Sequence, residues 1–357
     1  MPGSDTNIIK PVSIGGCTVG PGSPAFIVAE AGVNHDGSVD KAIELVEAAA
    51  ACGASAIKFQ LFRADDLTTS TAPTAGYQKK ACGESSQRAM LARLELSIDD
   101  FARIRSHCAS RSILFMVTPF SLKDVRHATK LDTCAVKIAS TDLTNSSLLQ
   151  AAGATGLPMI VSTGAATYRE ISDAVTELGR LGVSNRLVVL HCVSSYPAPI
   201  EAANLWAIRT LTERLGLPCG LSDHTISTLT GSWAVACGAC LLEKHFTFDR
   251  GAKGPDHALS LTPDELSEYI SVVREAERAL GSGKPGMTDL ESQVRLVARK
   301  SVVSAVDIHA GTTITREMLT LKRPGSGIAP NELERIVGRT SADDIPRDTV
   351  LCWDMLR

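Results

Sequence analysis

Two lysines stand where cations are out of place. Lys58 lies within Ala56-Ile57-Lys58-Phe59 and Lys137 within Ala135-Val136-Lys137-Ile138, both apolar runs bounded by turn residues. A lone lysine in such a run is usually an edge residue whose ammonium reaches back to water. Two of them, with Thr118, Ser140, Ser162 and Ser222 at the ends of comparable runs, point instead to an anion site. Buried ammonium groups without a counter-charge cost several kcal/mol. A phosphate group matches a pair of cations and a set of hydroxyls.

His224 and His245 follow or lie within adjacent runs, so their imidazoles can converge, and Glu30, Asp223 and Glu243 stand at equivalent run ends. A lone histidine is more often a satisfied core residue. The pair, with oxygen ligands nearby, suits Mn²⁺, Fe²⁺ or Zn²⁺, and two imidazoles leave coordination positions open, as in a Lewis-acid site. His35, in Asn34-His35-Asp36-Gly37, is a further residue at the same end, although this pattern equally marks a tight turn. His107, His127, His257 and His309 fall on helix or loop patterns and receive no role.

Chemistry of this kind needs elements that bring run ends to one place. Short apolar runs alternate with longer amphipathic ones, the signature of βαβ units. Eight candidate strands are Ala25 to Ala29, Ser55 to Gln60, Ile113 to Thr118, Ala135 to Ala139, Met159 to Ser162, Leu187 to Cys192, Cys219 to Ser222 and Leu241 to His245. Helical spacing is clearest in Asp40 to Cys52, Ile98 to Ala109, Glu170 to Leu181, Asn204 to Leu215 and Pro263 to Leu280. A longer polar gap, Arg63 to Gln87, follows the second strand. Eight such units fit a closed (β/α)₈ TIM barrel, in which the chemistry sits at the C-terminal strand ends. Every candidate strand has a polar group at that end, and no GxGxxG supports dinucleotide binding. The residues alone imply an enzyme acting on a small phosphorylated or carbonyl compound.

Composition narrows the partners. The 357 residues carry 36 Lys+Arg against 39 Asp+Glu, a formal net charge of -3, and only 4% aromatics. Neither phosphate-backbone neutralisation nor base stacking is favoured, so no nucleic-acid partner is expected. No apolar run reaches the length of a membrane span, and Met1 to Lys10 lacks the apolar core of a signal peptide, so a cytoplasmic protein without membrane association is expected. The 10 cysteines are scattered, and Cys237/Cys240, the one close pair, lies in an apolar stretch that reads as core packing.

Gly281-Ser282-Gly283-Lys284-Pro285-Gly286 punctuates the end of the barrel pattern. The boundaries expected are 1–285 for the barrel, 286–294 for a linker and 295–357 for a small module. Within the module, Ser301 to Val306 reads as a strand. The segment from Asp307-Ile308 to Met318-Leu319 is echoed from Asp344-Ile345 to Met355-Leu356, with Thr312 and Thr349 in register, suggesting two β-turn-helix units.

FIVAEAGVNHDGS from Phe26, IKFQLF from Ile57, TPFS, VKIAS, IVSTG, HCVSSYPAP, GLSDHT, LEKHFT and KGPDHALS resemble, in order and spacing, the sialic acid (N-acetylneuraminate) synthase family. The tail with LKRPGSGI is similar to that family's C-terminal antifreeze-like, or SAF, β-clip domain. The resemblance covers the chain from Ile27 onward. It implies a C–C bond-forming transferase that condenses phosphoenolpyruvate with N-acetylmannosamine or a related acetamido sugar and releases phosphate, giving N-acetylneuraminate or an analogue such as legionaminate. Another phosphoenolpyruvate-dependent 3-deoxy-ulosonate synthase, using a different aldose, is the alternative. The resemblance assigns phosphoenolpyruvate to Lys58, Thr118, Lys137, Ser140, Ser162, Ser194 and Ser222, and the sugar to Gln60, Asp142, Tyr196, Asp256 and Arg323. Glu30 becomes the acid/base, with Lys58 and Lys137 also catalytic, and His224 and His245 become ligands of a divalent metal, Mn²⁺ foremost, with Mg²⁺ or Co²⁺ as alternatives. Arg323 is implied to enter the active site of a second copy, making a domain-swapped homodimer. Asp142 stands where several bacterial members have Glu and Ser194 where some have Asn. The insertion from Tyr77-Gln78-Lys79-Lys80 to Leu94-Glu95-Leu96 resembles the neuraminate and legionaminate branches.

Overall fold

The chain opens with a hairpin absent from the expectations above: Val12–Ile14 (β1) pairs antiparallel with Cys17–Val19 (β2). Gly15 and Gly16 both have positive φ, as a two-residue hairpin turn requires. The computed structural model describes residues 9–74, 76, 83 and 86–357. Residues 1–8 and Tyr77 to Lys80, where the expected insertion opens, lie outside the described residues.

Eight parallel strands follow: Phe26–Gly32 (β3), Ala56–Leu61 (β4), Leu114–Pro119 (β5), Val136–Ile138 (β6), Met159–Ser162 (β7), Leu187–Cys192 (β8), Cys219–Asp223 (β9) and Leu241–His245 (β10). They close in the order β10-β3-β4-β5-β6-β7-β8-β9, the expected barrel. Val39–Ala51 (α1) links β3 to β4. The polar gap after β4 contains Ala64–Leu67 (α2) and Gln87–Ala92 (α3) before Ile98–Ser110 (α4). Leu122–Lys130 (α5), Ser146–Gly153 (α6), Tyr168–Arg180 (α7), Trp206–Leu215 (α8), Thr230–Ala236 (α9) and Pro263–Leu280 (α10) complete the layer. Capping boxes start α4 (Ser97/Asp100), α7 (Thr167/Glu170) and α10 (Thr262/Glu265), which is why α7 begins two residues before the expected Glu170.

Strand alternation divides the apolar residues between two cores. One set, including Ile27, Ala29, Ile57, Phe59, Val117 and Val161, packs outward against the helices. The other, including Phe26, Val28, Ala56, Met116, Ile160, Val188, Leu190 and Leu241, fills the N-terminal half of the interior, and Val12, Ile14 and Val19 of the hairpin pack against it. The barrel therefore has a closed apolar floor. Cys240 belongs to that cluster, its thiol donating to the Cys219 carbonyl, and both Cys237 and Cys240 are free, in line with core packing.

The chain divides into two units, Met1–Gly281 and Ser282–Arg357. The second begins with a 3₁₀ turn, Asp289–Glu291, running into Ser292–Ala298 (α11), so part of the stretch expected as linker is helical. Ser301–Ser304 (β11) pairs antiparallel with Leu319–Lys322 (β12). The two sequence echoes meet: Ile308 and Ile345 exchange both backbone hydrogen bonds at 2.8 Å. Each echo ends in a 3₁₀ turn, Arg316–Met318 and Trp353–Met355, rather than in the expected helix. Three residues between β pairings leave no length for a second helical turn. Among the described residues no helix is long and apolar enough to cross a membrane.

Candidate active site

The alternation that lays the apolar floor also builds the site above it. On β3, β4, β9 and β10 the next inward positions after the floor are Glu30, Lys58, Ser222 and Glu243, and on β5, β6 and β7 they are Thr118, Lys137 and Ser162; all are buried. They line one chamber of about 80 Å³ with Gln60, Ser140, Cys192, Tyr196, His224 and His245. The structure thus brings together nearly all the expected residues of the barrel.

At its base lies a four-member charge cluster. Lys58 Nζ is 2.6 Å from Glu30 Oε2, 3.7 Å from Glu243 Oε2, and donates to Thr118 Oγ1 at 2.8 Å. Lys137 Nζ is 3.3 Å from Glu243 Oε1, which also accepts from Ser222 Oγ at 2.9 Å. Glu243 therefore faces both lysines. Burial alone would raise its pKa, but Lys137 and Lys58 hold it well below the usual carboxylate range. Glu30 is different: burial pushes it up to about 7, against the pull of Lys58. For Lys58 the cost of burial is outweighed by Glu243 and Glu30, and its pKa rises. Lys137, facing one carboxylate and the charge of Lys58, is lowered by burial. When Glu30 takes up a proton, two lysines are left facing the one carboxylate of Glu243, an arrangement that favours an anion.

A cradle of small groups adjoins Lys137. The Gly164 amide donates to Ser140 Oγ at 2.9 Å, so the Ser140 hydroxyl keeps its own proton to donate, with the Cys192 thiol as its neighbour. A Cβ on Gly164 would stand 2.2 Å from Ser194 Oγ and 2.9 Å from both Cys192 Sγ and Ser140 Oγ. Ser162 Oγ is buried without a partner. Ser140, Gly164 and Ser194 also line an outer chamber of about 640 Å³ with Leu67, Leu91, Phe120, Leu143 and Tyr196. A third chamber, about 120 Å³, is formed by Gln60, Tyr196, His245 and Asp256 with Val33, Met90, Leu91 and Pro255. Gln60 and Tyr196 belong to all three.

Gly32, at a β-bulge after Glu30 and with φ +54°, lets these groups converge: its Cβ would lie 3.2 Å from Glu30 Oε1, 3.4 Å from Gln60 Nε2 and 3.5 Å from Asp256 Oδ2. Asp256 is buried, which raises its pKa. Asp142 lines none of the three chambers; its carboxylate accepts from Asn145 Nδ2 at 3.1 Å, beside the lining residues Thr141 and Leu143. Arg323 is exposed in the C-terminal unit, just after β12.

His224 and His245 come together with ring centroids 5.5 Å apart, and the Tyr196 ring lies 4.4 Å from His224. His224 Nδ1 donates to the Val193 carbonyl at 2.8 Å, which leaves Nε2 as its ligating nitrogen. His245 Nδ1 is buried without a partner, and burial together with His224 drives its pKa well below the ordinary histidine value. Among the described residues no cluster of three or more His, Cys, Asp or Glu side chains suits a metal. Two imidazole nitrogens beside a substrate chamber nevertheless fit a divalent cation whose other ligands are substrate and water oxygens.

Asp223 is not with them. It pairs with Lys244 Nζ at 2.8 Å and accepts from the Thr225 amide at 2.9 Å, on the outward side of the barrel, because successive strand residues face opposite ways. His191 likewise faces away and bonds to the Ala203 carbonyl. His35 is buried and neutral, its pKa pushed down to about 4 by burial. Three contributors were missed in the sequence. For Glu243 it was the role and not the residue: expected among the oxygen ligands near the histidine pair, it is instead the counter-ion to both lysines. Gly164 was hidden in Ser-Thr-Gly, and His257, buried against Asp36, has a partner no local pattern reveals.

Residues 45–285 match the NeuB family and residues 299–357 the SAF domain. The N,N'-diacetyllegionaminic acid synthase of Legionella pneumophila is 41% identical over 94% of this chain and 95% of its own. The enzyme of the same name from Campylobacter jejuni is 36% identical over 91% and 98%. The crystal structure of the N-acetylneuraminic acid (sialic acid) synthetase of Leptospira borgpetersenii superposes with a TM-score of 0.72 at 33% identity, covering 80% of this chain and 95% of that one.

Proposed function

The chain belongs to the NeuB family and ends in an SAF domain, and from that premise we propose that it is a nonulosonic acid synthase condensing phosphoenolpyruvate with an N-acetylated hexosamine. The observation that carries the reading is the pair Lys58 and Lys137, buried around Glu243 beneath the Ser140–Gly164–Ser194 cradle. Phosphoenolpyruvate brings a phosphate and a carboxylate, and this is where the cations and hydroxyl donors are. Thr118, Ser162 and Ser222 complete the set.

In the reaction, C3 of phosphoenolpyruvate bonds to the carbonyl carbon of the open-chain sugar as its enol double bond supplies the electrons. Glu30, whose pKa burial raises to about 7, gives its proton to the sugar's carbonyl oxygen. The resulting carboxylate takes a proton from the water that adds at C2. That transfer restores Glu30 to its starting state; the C2–O bond to phosphate then breaks as the C2 hydroxyl proton passes to the departing phosphate, and the keto group forms. Lys58 and Lys137 hold the leaving phosphate by charge throughout. His224 and His245 are the residues that would hold a divalent cation, Mn²⁺ foremost, whose contribution when bound is Lewis-acid polarisation of the sugar carbonyl.

Gln60, Tyr196 and Asp256 surround the position for the sugar, with Asp142 near the rim. The two relatives named for N,N'-diacetyllegionaminic acid synthesis favour a 2,4-diacetamido-2,4,6-trideoxy sugar, and the apolar Leu67, Leu91, Phe120 and Leu143 of the outer chamber suit its methyl groups. N-acetylmannosamine, with more hydroxyls, is the second reading. The proposal includes Arg323 acting in the site of a second copy, hence a homodimer, which sedimentation and Arg323→Ala would test. The deciding assay is phosphate release from phosphoenolpyruvate with each acetamido sugar and with arabinose 5-phosphate. Turnover with an acetamido sugar is expected; turnover with arabinose 5-phosphate alone would sink the proposal.

A further inference from the structure

Resting on the assignment of Asp256 to the sugar, we propose that His257 is a positioning residue that holds Asp256 in place by tying the loop after β10 to the turn after β3. His257 lines none of the three chambers, yet it is only 2% exposed. Its Nε2 is 3.0 Å from Asp36 Oδ1 and its Nδ1 is 2.7 Å from Thr247 Oγ1. A carboxylate only accepts, so Nε2–H donates to Asp36, while Nδ1 shares a second hydrogen bond with the Thr247 hydroxyl. Asp36 is itself held by Lys41 Nζ at 3.0 Å, and it sits at φ +53° in the Asn34-His35-Asp36-Gly37 turn. The chain passes close over the imidazole: a Cβ on Gly254 would stand 2.5 Å from His257 Cδ2.

The same turn grips the loop from the other side of Asp256. Asn34 Nδ2 donates to the Phe246 carbonyl at 2.9 Å and to Ser260 Oγ at 3.0 Å, and Ser260 Oγ donates to the backbone carbonyl of Asp256 at 2.6 Å. Asp256 is thus flanked by two polar links, one buried through Ser260 and one partly buried through His257, both anchored in one four-residue turn. Neither link touches a chamber. Their effect on catalysis passes through the direction in which the Asp256 carboxylate points. Carboxylates that grip a substrate act over a fraction of an ångström, and a misplacement of about 1 Å costs up to ~100-fold.

The test is steady-state kinetics on the full chain for His257→Leu, His257→Gln, Asp36→Asn, Asp256→Asn and the double variant His257→Leu/Asp256→Asn, with each variant's melting temperature. The expected result is that His257→Leu and Asp36→Asn raise the KM for the acetamido sugar about tenfold while the KM for phosphoenolpyruvate stays near wild type. His257→Gln, which keeps a donor and an acceptor, recovers part of the loss. The double variant is no worse for the sugar than Asp256→Asn alone, as required if His257 acts through Asp256. If Asp256→Asn leaves the sugar KM unchanged, the assignment of Asp256 is wrong and this inference goes with it. If Asp256→Asn raises that KM but the two changes are additive, or if both substrates' KM values rise together, the assignment stands and the positioning role is overturned. Should His257→Leu not fold, His257→Gln and Asp36→Asn decide the matter by the same comparison.

Discussion

Gly164→Ala should block the anion cradle while leaving the fold intact. The backbone there is not in the left-handed region, so an alanine adds no backbone strain. What changes is space. The new methyl would stand 2.2 Å from Ser194 Oγ and 2.9 Å from both Ser140 Oγ and Cys192 Sγ. Ser194 can turn away, but Ser140 accepts the Gly164 amide at 2.9 Å and cannot move without giving up that bond. One hydroxyl donor to the phosphate is therefore lost or bent. A hydrogen bond to a charged group is worth about 1.5–3 kcal/mol, and at about 1.4 kcal/mol per tenfold this raises the KM for phosphoenolpyruvate roughly 10- to 150-fold. The assay is phosphate release with phosphoenolpyruvate varied at saturating sugar, alongside the melting temperature. A phosphoenolpyruvate KM unchanged in a protein of wild-type stability would refute the cradle.

Glu243→Gln removes the carboxylate that faces both lysines; breaking such a buried pair costs about 3–5 kcal/mol, so the melting temperature should fall, and phosphoenolpyruvate should restore more of it than it adds to wild type. Equal ligand-induced shifts in the two proteins would contradict the charge argument. Chelation should abolish turnover, and His224→Ala or His245→Ala should weaken Mn²⁺ binding measured by electron paramagnetic resonance in the absence of substrates; undiminished binding in either would remove the pair as ligands. The kcat/KM should fall as pH rises through about 7, because burial raises Glu30 to that value and the proton it donates is present below it and absent above. A profile flat across neutrality would take Glu30 out of the acid role.

Strand positions were legible wherever an apolar run was long enough to show its period. β7, β8 and β10 have the expected limits, because each is a continuous run with a turn before it. The hairpin escaped notice since its strands are only 3 residues each, although Gly15-Gly16 is a turn signal. Face assignment was the harder step. Ser222-Asp223-His224 reads as one polar run at a strand end, yet the backbone sends its middle member outward to Lys244 and the flanking two inward. Counting by twos from His245 selects Glu243 and rejects Lys244, so the information was present but needed a fixed register. His257 is a different case. Its partner Asp36 is 221 residues away, and nothing local distinguishes it from a histidine of a solvated turn.

The apolar half of the barrel belongs to the chemistry as much as the polar half does. Phe26, Val28, Met116, Ile160, Val188 and Leu241 exclude water from beneath Lys58, Lys137, Glu30 and Glu243, and the hairpin's Val12, Ile14 and Val19 close the far end. In water those four groups would be screened and Glu30 would ionise like any surface glutamate. Above a dry floor the same burial that makes the cluster costly raises Glu30 toward neutrality, and it makes each lysine's attraction for an anion far stronger than at the surface. A buried ion-pair cluster of this kind is a poor source of stability, since well-packed apolar residues do as well or better. Its presence is better explained by what it binds. Two lysines between an ionised Glu243 and a Glu30 raised toward neutrality make an arrangement that an anionic substrate completes, and a chain with a formal net charge of -3 holds those lysines in its interior, where the substrate must go.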